Sequence, residues 1–326
     1  MSAAASPSPE SLQQWLSPEQ VETTRQWLTH PGNHVLTQDD PDFPSLLREV
    51  HSPPNLLFVK GNPALLSRPM VAMVGSRSAT RQGCIDAEAF ALALSQMGIT
   101  VVSGLATGID AAAHRGALRG IGSTVAVIGT GADRIYPAMH RALAHEIANH
   151  GAIVSEFPLG TTAQKWHFPK RNRIIAGLST GCLVVEASLT SGAIITAQYA
   201  LEQGREVFAI PGSIHSPLSK GCHRLIREGG KLVETAQDIL EELQFPLSIP
   251  ALTGATDPSP ESTLAFPESR LLLNELTSTA LTIDELCERT GLTAGQVSLM
   301  LTSLELGGHV APLPGGRYQR LNFKHA

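Results

Sequence analysis

Between residues 70 and 228 the chain alternates short apolar runs with helix-length segments, and few folds admit that rhythm. The runs fall at 70–74, 99–102, 124–128, 152–154, 182–185 and 207–210. Each is apolar at consecutive positions rather than at every second one, so both faces of the strand must be covered. Segments of helical length separate them, at 82–97, 107–119, 138–149, 169–179, 192–203 and 219–228. Covered strands alternating with helices predict a doubly wound α/β domain with a mostly parallel sheet. In such sheets ligands sit beyond the carboxyl ends of the strands, where the strand order reverses. The residues just after each strand are therefore where chemistry is sought.

The flanks read differently. Residues 1–60 predict a small helical N-terminal unit whose first ten or so residues are flexible. Within it Ser17-Pro18-Glu19-Gln20 has the chemistry of a capped helix start. The α/β domain is expected over 61–245. Residues 246–267 are rich in Pro, Ser and Thr, a linker composition. Residues 268–326 predict three short helices and a hairpin, hence a winged-helix-like domain. The helices are expected at 269–276, after a capping box at Thr282–Glu285, and after another at Thr293–Gln296. The hairpin turns at Gly315-Gly316.

Composition excludes several classes. With 42% hydrophobic and 16% charged residues, the chain is not that of a disordered protein. Cys84, Cys182, Cys222 and Cys287 are far apart and form no CxxC pair, which argues against a zinc cage and fits a reducing compartment. No basic-then-apolar leader and no membrane-length apolar run is visible, so a soluble, cytoplasmic protein without membrane contact is expected. The net charge of −5 speaks against a nucleic-acid partner, yet it is unevenly spread. Residues 1–60 carry −4 and residues 241–326 carry −5, whereas residues 61–240 carry +4.

Three strand-to-helix turns in that basic segment are rich in glycine. They are Gly75-Ser76-Arg77-Ser78, Ser103-Gly104-Leu105-Ala106-Thr107-Gly108-Ile109-Asp110 and Gly129-Thr130-Gly131-Ala132-Asp133. Free backbone N–H groups at a helix start favour an anion, and Arg77 adds a bidentate fork for phosphate. Thr107, with Asp110 three residues on, reads as the cap of the helix after the second turn. None of the three has GxxxxGK[ST] or GxGxxG spacing, so neither a P-loop nor a classical NAD site is expected, and no cofactor is implied.

The densest cluster is Gln164-Lys165-Trp166-His167-Phe168-Pro169-Lys170-Arg171-Asn172-Arg173. Basic side chains neutralise a phosphate backbone, and exposed rings stack on unpaired bases. Their interleaving suits a single-strand groove. Two readings of Trp166 stay open, core packing or exposure, and Phe168 is favoured as exposed because of its basic neighbours. Glu186 reads as a polar group organising nearby loops rather than a catalytic base, since no nucleophile pairs with it at recognisable spacing. Ser191 reads as a helix cap. His114, four residues after Asp110, shares its helix face and reads as a hydrogen-bonded structural histidine. The twelve histidines show no metal spacing, so no metal site is expected. The third helix of the C-terminal unit has no basic residue, which speaks against strong duplex binding through it.

Taken in order, GSR (75–77), VSGLATGID (102–110), GTGADRIYP (129–137), HFPKRNRIIAGLS (167–179) and VVEASLTSGAIITAQ (184–198) resemble the DNA-processing protein A (DprA/Smf) family. The resemblance spans about residues 35–240. It implies an extended Rossmann fold, a homodimer formed through that domain, and binding of single-stranded DNA without strong sequence preference. It also implies protection of incoming strands and delivery of them to the RecA recombinase in natural transformation, by a binding protein and not an enzyme. Arg77 is then expected to hold phosphate, with Gly75 and Ser76 in its turn and Ser103 and Gly104 forming the anion pocket beside it. Lys165 and Phe168 match the pair for backbone contact and base stacking. Lys170, Arg171, Asn172 and Arg173 extend the rim, though Arg171 and Arg173 also fit structural roles. Asp110, Glu186 and Ser191 are expected to organise the pocket. His140 and His223 stand where the family pattern has Asn. The rival reading is a nucleotide-processing phosphoribohydrolase on a related scaffold, whose PGGxGTxxE signature is missing here.

Overall fold

The computed structural model describes residues 9–245, 272, 275–276, 281–306, 310–313 and 317–320. They belong to two compact units, one within residues 1–249 and one within 250–326. In the first unit the elements run α1 (Pro9–Gln13), α2 (Pro18–Trp27), β1 (Asn33–Thr37), α3 (Ser45–Arg48), β2 (Leu56–Gly61), β3 (Met70–Val74) and α4 (Arg81–Gln96). They continue with β4 (Thr100–Ser103), α5 (Ile109–Ala117), β5 (Thr124–Val127), α6 (Arg141–His150), β6 (Ala152–Ser155) and α7 (His167–Gly177). The unit ends with β7 (Gly181–Val184), α8 (Gly192–Glu202), β8 (Glu206–Ala209), α9 (Lys220–Arg227), β9 (Lys231–Leu232) and α10 (Ala236–Leu243).

The sheet has nine strands in the order β1-β2-β6-β5-β4-β3-β7-β8-β9. From β6 to β9 every neighbouring pair is parallel. Side chains alternate across it as a pleated strand requires. Met70, Ala72 and Val74 enter a core with Ile174 and Ile175 of α7, Ala193 and Ala197 of α8, and Cys222 of α9. Val71 and Met73 enter the opposite core with Ala87, Ala91 and Leu94 of α4 and Ile109 and Ala113 of α5. The consecutive apolar runs exist because both faces are covered.

The N-terminal region begins helical, with Ser17 and Gln20 closing the capping box of α2. Its second half departs from a helical unit. β1 and β2 pair antiparallel with each other, and β2 pairs antiparallel with β6, so residues 33–61 extend the α/β sheet across the expected boundary at 60. The reason is packing: Leu57 and Val59 join the core containing α7 and α8, while Val35, Leu56 and Phe58 lie under Leu12, Leu16 and Val21.

In the second unit, helices Ile283–Thr290 and Ala294–Leu306 accompany a three-stranded sheet of Leu281–Thr282, Val310–Leu313 and Arg317–Arg320. That is a winged-helix arrangement. Thr282 caps the first helix in a capping box with Glu285, and the Thr293 and Gln296 side chains make reciprocal bonds at the next helix start. Leu286, Val297, Met300, Leu301 and Leu304 form its core. The expected linker at 246–267 and most of the expected helix at 269–276 lie outside the described residues.

Candidate nucleic-acid interface

Strand order reverses between β3 and β7, so the turns after these two strands face one crevice. The first turn is stitched in place from three sides. The Ser76 N–H donates to the Glu186 carbonyl at 2.7 Å. The Ile109 N–H donates to the Ser76 carbonyl at 3.2 Å, and Thr107 Oγ1 donates to the Arg77 carbonyl at 3.1 Å. Ser76 is buried and its Oγ accepts the Ser78 N–H. Arg77 is left exposed, its guanidinium 5.4 Å over the Phe168 ring. A groove of about 650 Å³ opens here, lined by Gly75–Ser78, Lys165, Phe168, Arg171, Asn172, Ser191 and Thr196 among others.

In the second turn Gly104 lines a smaller pocket beside Arg77, Phe168 and Arg171, but Ser103 does not reach it, and the turn's N–H groups are taken up within the protein. Ser103 is wholly buried and its hydroxyl donates to the Met73 carbonyl at 2.7 Å. The Gly104 and Ala106 N–H groups donate to Asp110 Oδ2, each at 3.2 Å. The pocket's would-be anion is thus the protein's own carboxylate. Thr107 does not cap α5 either; Gly108 occupies the cap position and the Thr107 hydroxyl ties the first turn.

Arg171 belongs to this buried layer rather than to a rim. Its residue is 4% exposed, and its Nη1 donates to the carbonyls of Gly104 and Val127. Its Nη2 lies 3.9 Å from Asp110 Oδ2. Burial raises the Asp110 pKa above its ordinary value, opposed by Arg171 and the two N–H groups. Burial likewise lowers Arg171 to about 10, against the attraction of Asp110. The guanidinium therefore stays charged at neutral pH beneath the groove, which it also lines. His114 supports the same turn. It accepts the Leu105 N–H at Nε2, and burial lowers its pKa to about 3, so it is neutral.

The third turn is satisfied internally. The Gly131 N–H donates to Thr161, the Thr130 hydroxyl to Arg134, and Asp133 accepts from the Gly160 N–H. Its glycine has another use: a Cβ at Gly129 would sit 3.2 Å from the Phe168 ring. The turn is bare so that the ring can seat against it.

Along α7 the cluster divides by helical position. Lys165 is exposed and lines the groove. Phe168 is half-buried and faces it. Asn172 lines it too, its Oδ1 accepting Arg171 Nε and its Nδ2 donating to the Gly192 carbonyl at 3.4 Å. Arg173 instead pairs with the buried Glu156, so it is not rim. The Lys170 ammonium lies 3.5 Å from Glu156 and 5.3 Å over the Phe157 ring, off the groove lining. Trp166 is 59% exposed.

Glu186 holds the start of α4, accepting Thr80 N–H at 2.8 Å and the Thr80 hydroxyl at 2.6 Å. Ser191 caps α8 by accepting the Ala193 N–H. The two histidines at Asn positions both have partners. His140 Nδ1 bonds the Leu105 carbonyl at 2.9 Å, and His223 Nε2 meets the Gly212 backbone. Tyr136 was missed by the sequence reading. It lines the groove, half exposed, with its ring 5.6 Å from that of Phe168. The signal was present as an aromatic just after the third turn. Among the described residues no cluster of His, Cys, Asp and Glu is arranged to hold a metal, and no helix is long and apolar enough to cross a membrane.

An exposed guanidinium, an ammonium and two rings stand together at the switch point of this doubly wound α/β sheet. The particular lineage follows from comparison. The chain belongs to the DNA-processing protein A (DprA/Smf) family: residues 34–244 match the model for DNA recombination-mediator protein A, and residues 254–316 match the DprA winged helix domain. It is 42% identical over 306 residues to Protein Smf of Escherichia coli, covering 92% of this chain and 81% of that one. It is 45% identical over 234 residues to the DNA processing protein DprA of Streptococcus pneumoniae, covering 72% and 82%. The X-ray structure of DNA processing protein A from Streptococcus pneumoniae superposes with a TM-score of 0.65, at 45% identity, over 70% of this chain and 78% of that one. DNA processing protein A from Helicobacter pylori, described for its single-stranded DNA binding mode, gives a TM-score of 0.59 at 28% identity, over 64% and 95%.

Proposed function

We propose that this DNA-processing family member binds single-stranded DNA in the groove at the sheet's switch point, protects the strand and loads RecA recombinase on it during transformation and recombination. In this reading it works in the cytoplasm as a homodimer formed through the Rossmann domain, without cofactor or catalysis. The observation that carries the reading is the juxtaposition of exposed Arg77 with Phe168, at 5.4 Å, in a groove that Lys165 also lines. Arg77 and Lys165 neutralise successive phosphates, and the Phe168 and Tyr136 rings offer faces to bases, which gives affinity without sequence readout. The family match and the Helicobacter pylori neighbour support it. The phosphoribohydrolase reading has no comparable support, because Glu186 is engaged with Thr80 and the signature is missing.

The test is a gel-shift titration of single- and double-stranded oligonucleotides. Wild type is expected to prefer the single strand. Phe168→Ala is expected to lose about 5- to 150-fold in affinity, the stacking contribution being ~1–3 kcal/mol per base. Equal binding of both DNA forms, or an unchanged Phe168→Ala, contradicts the reading. RecA filament assembly on strands coated with a competing single-strand binder tests the loading step, and no acceleration by this protein would remove it.

A further inference from the structure

Trp166 lies beside the groove without lining it. It is 59% exposed, and its ring has partners along its edge. Its Nε1–H donates to Gln164 Oε1 at 2.6 Å. The His167 ring lies 4.0 Å away at 71°, and the Phe157 ring 6.5 Å away at 80°. Both meet the indole steeply instead of stacking on it. These supports are themselves anchored: His167 is buried with Nδ1 on the Gly129 carbonyl at 3.0 Å, and it packs 4.1 Å from Phe157. Two lysines flank it, one of them Lys170, which is paired with Glu156. Lys165, the preceding residue, lines the groove, and the exposed Lys170 ammonium sits over Phe157.

We propose that Trp166 is a separate base-stacking platform, which receives a nucleobase of the same single strand after it leaves the groove past Lys165. The proposal rests on the single-strand reading of the groove. Trp166 and Phe168 are two residues apart at a helix start, so their rings project to different sides and serve different bases. A ring already in contact with His167 and Phe157 loses less freedom on stacking than a free one, and beside Lys165 it sits next to the phosphate track.

The experiment measures anisotropy of labelled oligothymidylates of increasing length, over a salt series, with intrinsic fluorescence read in parallel. It uses the full chain as wild type, Trp166→Ala, Trp166→Phe, Lys165→Ala and Arg77→Ala. Trp166→Ala is expected to weaken long oligonucleotides by about 5-fold or more while leaving short ones unchanged. Trp166→Phe is expected to recover most of the loss. The quenching of wild-type fluorescence by DNA should vanish in Trp166→Phe, although Trp15 and Trp27 remain. The salt slope should be unchanged in Trp166→Ala and lower by about 1 in Lys165→Ala, which separates stacking from a role in placing the lysines. Equal affinity of Trp166→Ala and wild type at all lengths, or quenching that persists in Trp166→Phe, overturns the proposal while wild-type binding upholds the groove reading. No binding by wild type at any length overturns both.

Discussion

Two arginines reach the same groove from different depths. Arg77 stands exposed over Phe168, whereas Arg171 is buried between the Gly104 and Val127 carbonyls and Asp110. Their truncations should therefore separate cleanly. Arg171→Ala strands the Asp110 carboxylate without its cation and is expected to cost roughly 3–5 kcal/mol of stability, read from the urea midpoint. Arg77→Ala is expected to shift stability by no more than about 0.5 kcal/mol. Equal destabilisation by both would contradict the assignment of depth. From sequence alone Arg77 read as a phosphate fork while Arg171 stayed open between rim and structural roles, because charge type and spacing are silent on depth. Asp110 carried a partial signal, being an acid just after a glycine-rich loop, but the cation it meets comes from α7, far along the chain.

At the scale of elements, the first turn is held by α5. Gly108 has φ +75°, and a Cβ there would lie 2.2 Å from the Ser76 carbonyl oxygen. Gly108→Ala thus combines a positive-φ backbone that side chains rarely adopt, costing about 1–3 kcal/mol, with a collision against the turn that presents Arg77. The expected outcome is a lowered melting midpoint together with weakened DNA binding, read by calorimetry and by titration of the same sample. A variant that keeps both would show that this packing is dispensable. The strands and helices of residues 70–228 were legible because fully covered strands leave consecutive apolar runs. The glycine-rich turns were legible as turns, and Arg77 as the cation of the first, but the roles of the other two were not. The first presents an arginine, the second wraps its own aspartate, and the third makes room for a ring. These roles depend on which side chains arrive from other elements, and local composition does not encode that. β1 escaped because a short edge strand beside turn-rich segments gives little periodicity, and β2, an inner strand between β1 and β6, offers only one short apolar run within a stretch that otherwise reads as helical.

Over the whole molecule, the net charge of −5 conceals a basic α/β segment between acidic flanks. That segment carries the groove, and its surplus is the part of the composition that bears on a polyanionic partner. The second unit has a winged-helix fold, but its Ala294–Leu306 helix has no lysine or arginine, so the fold alone does not bring DNA-reading chemistry with it. The measurement that tests the groove most directly is the dissociation constant for a single-stranded oligonucleotide across a salt series, for wild type and Arg77→Ala. Affinity is expected to fall steeply and linearly in log–log form, with a slope shallower by about 0.7–1 in the variant, one phosphate contact having been removed. Affinity indifferent to salt, or an identical slope and affinity in Arg77→Ala, would contradict single-strand capture at this site.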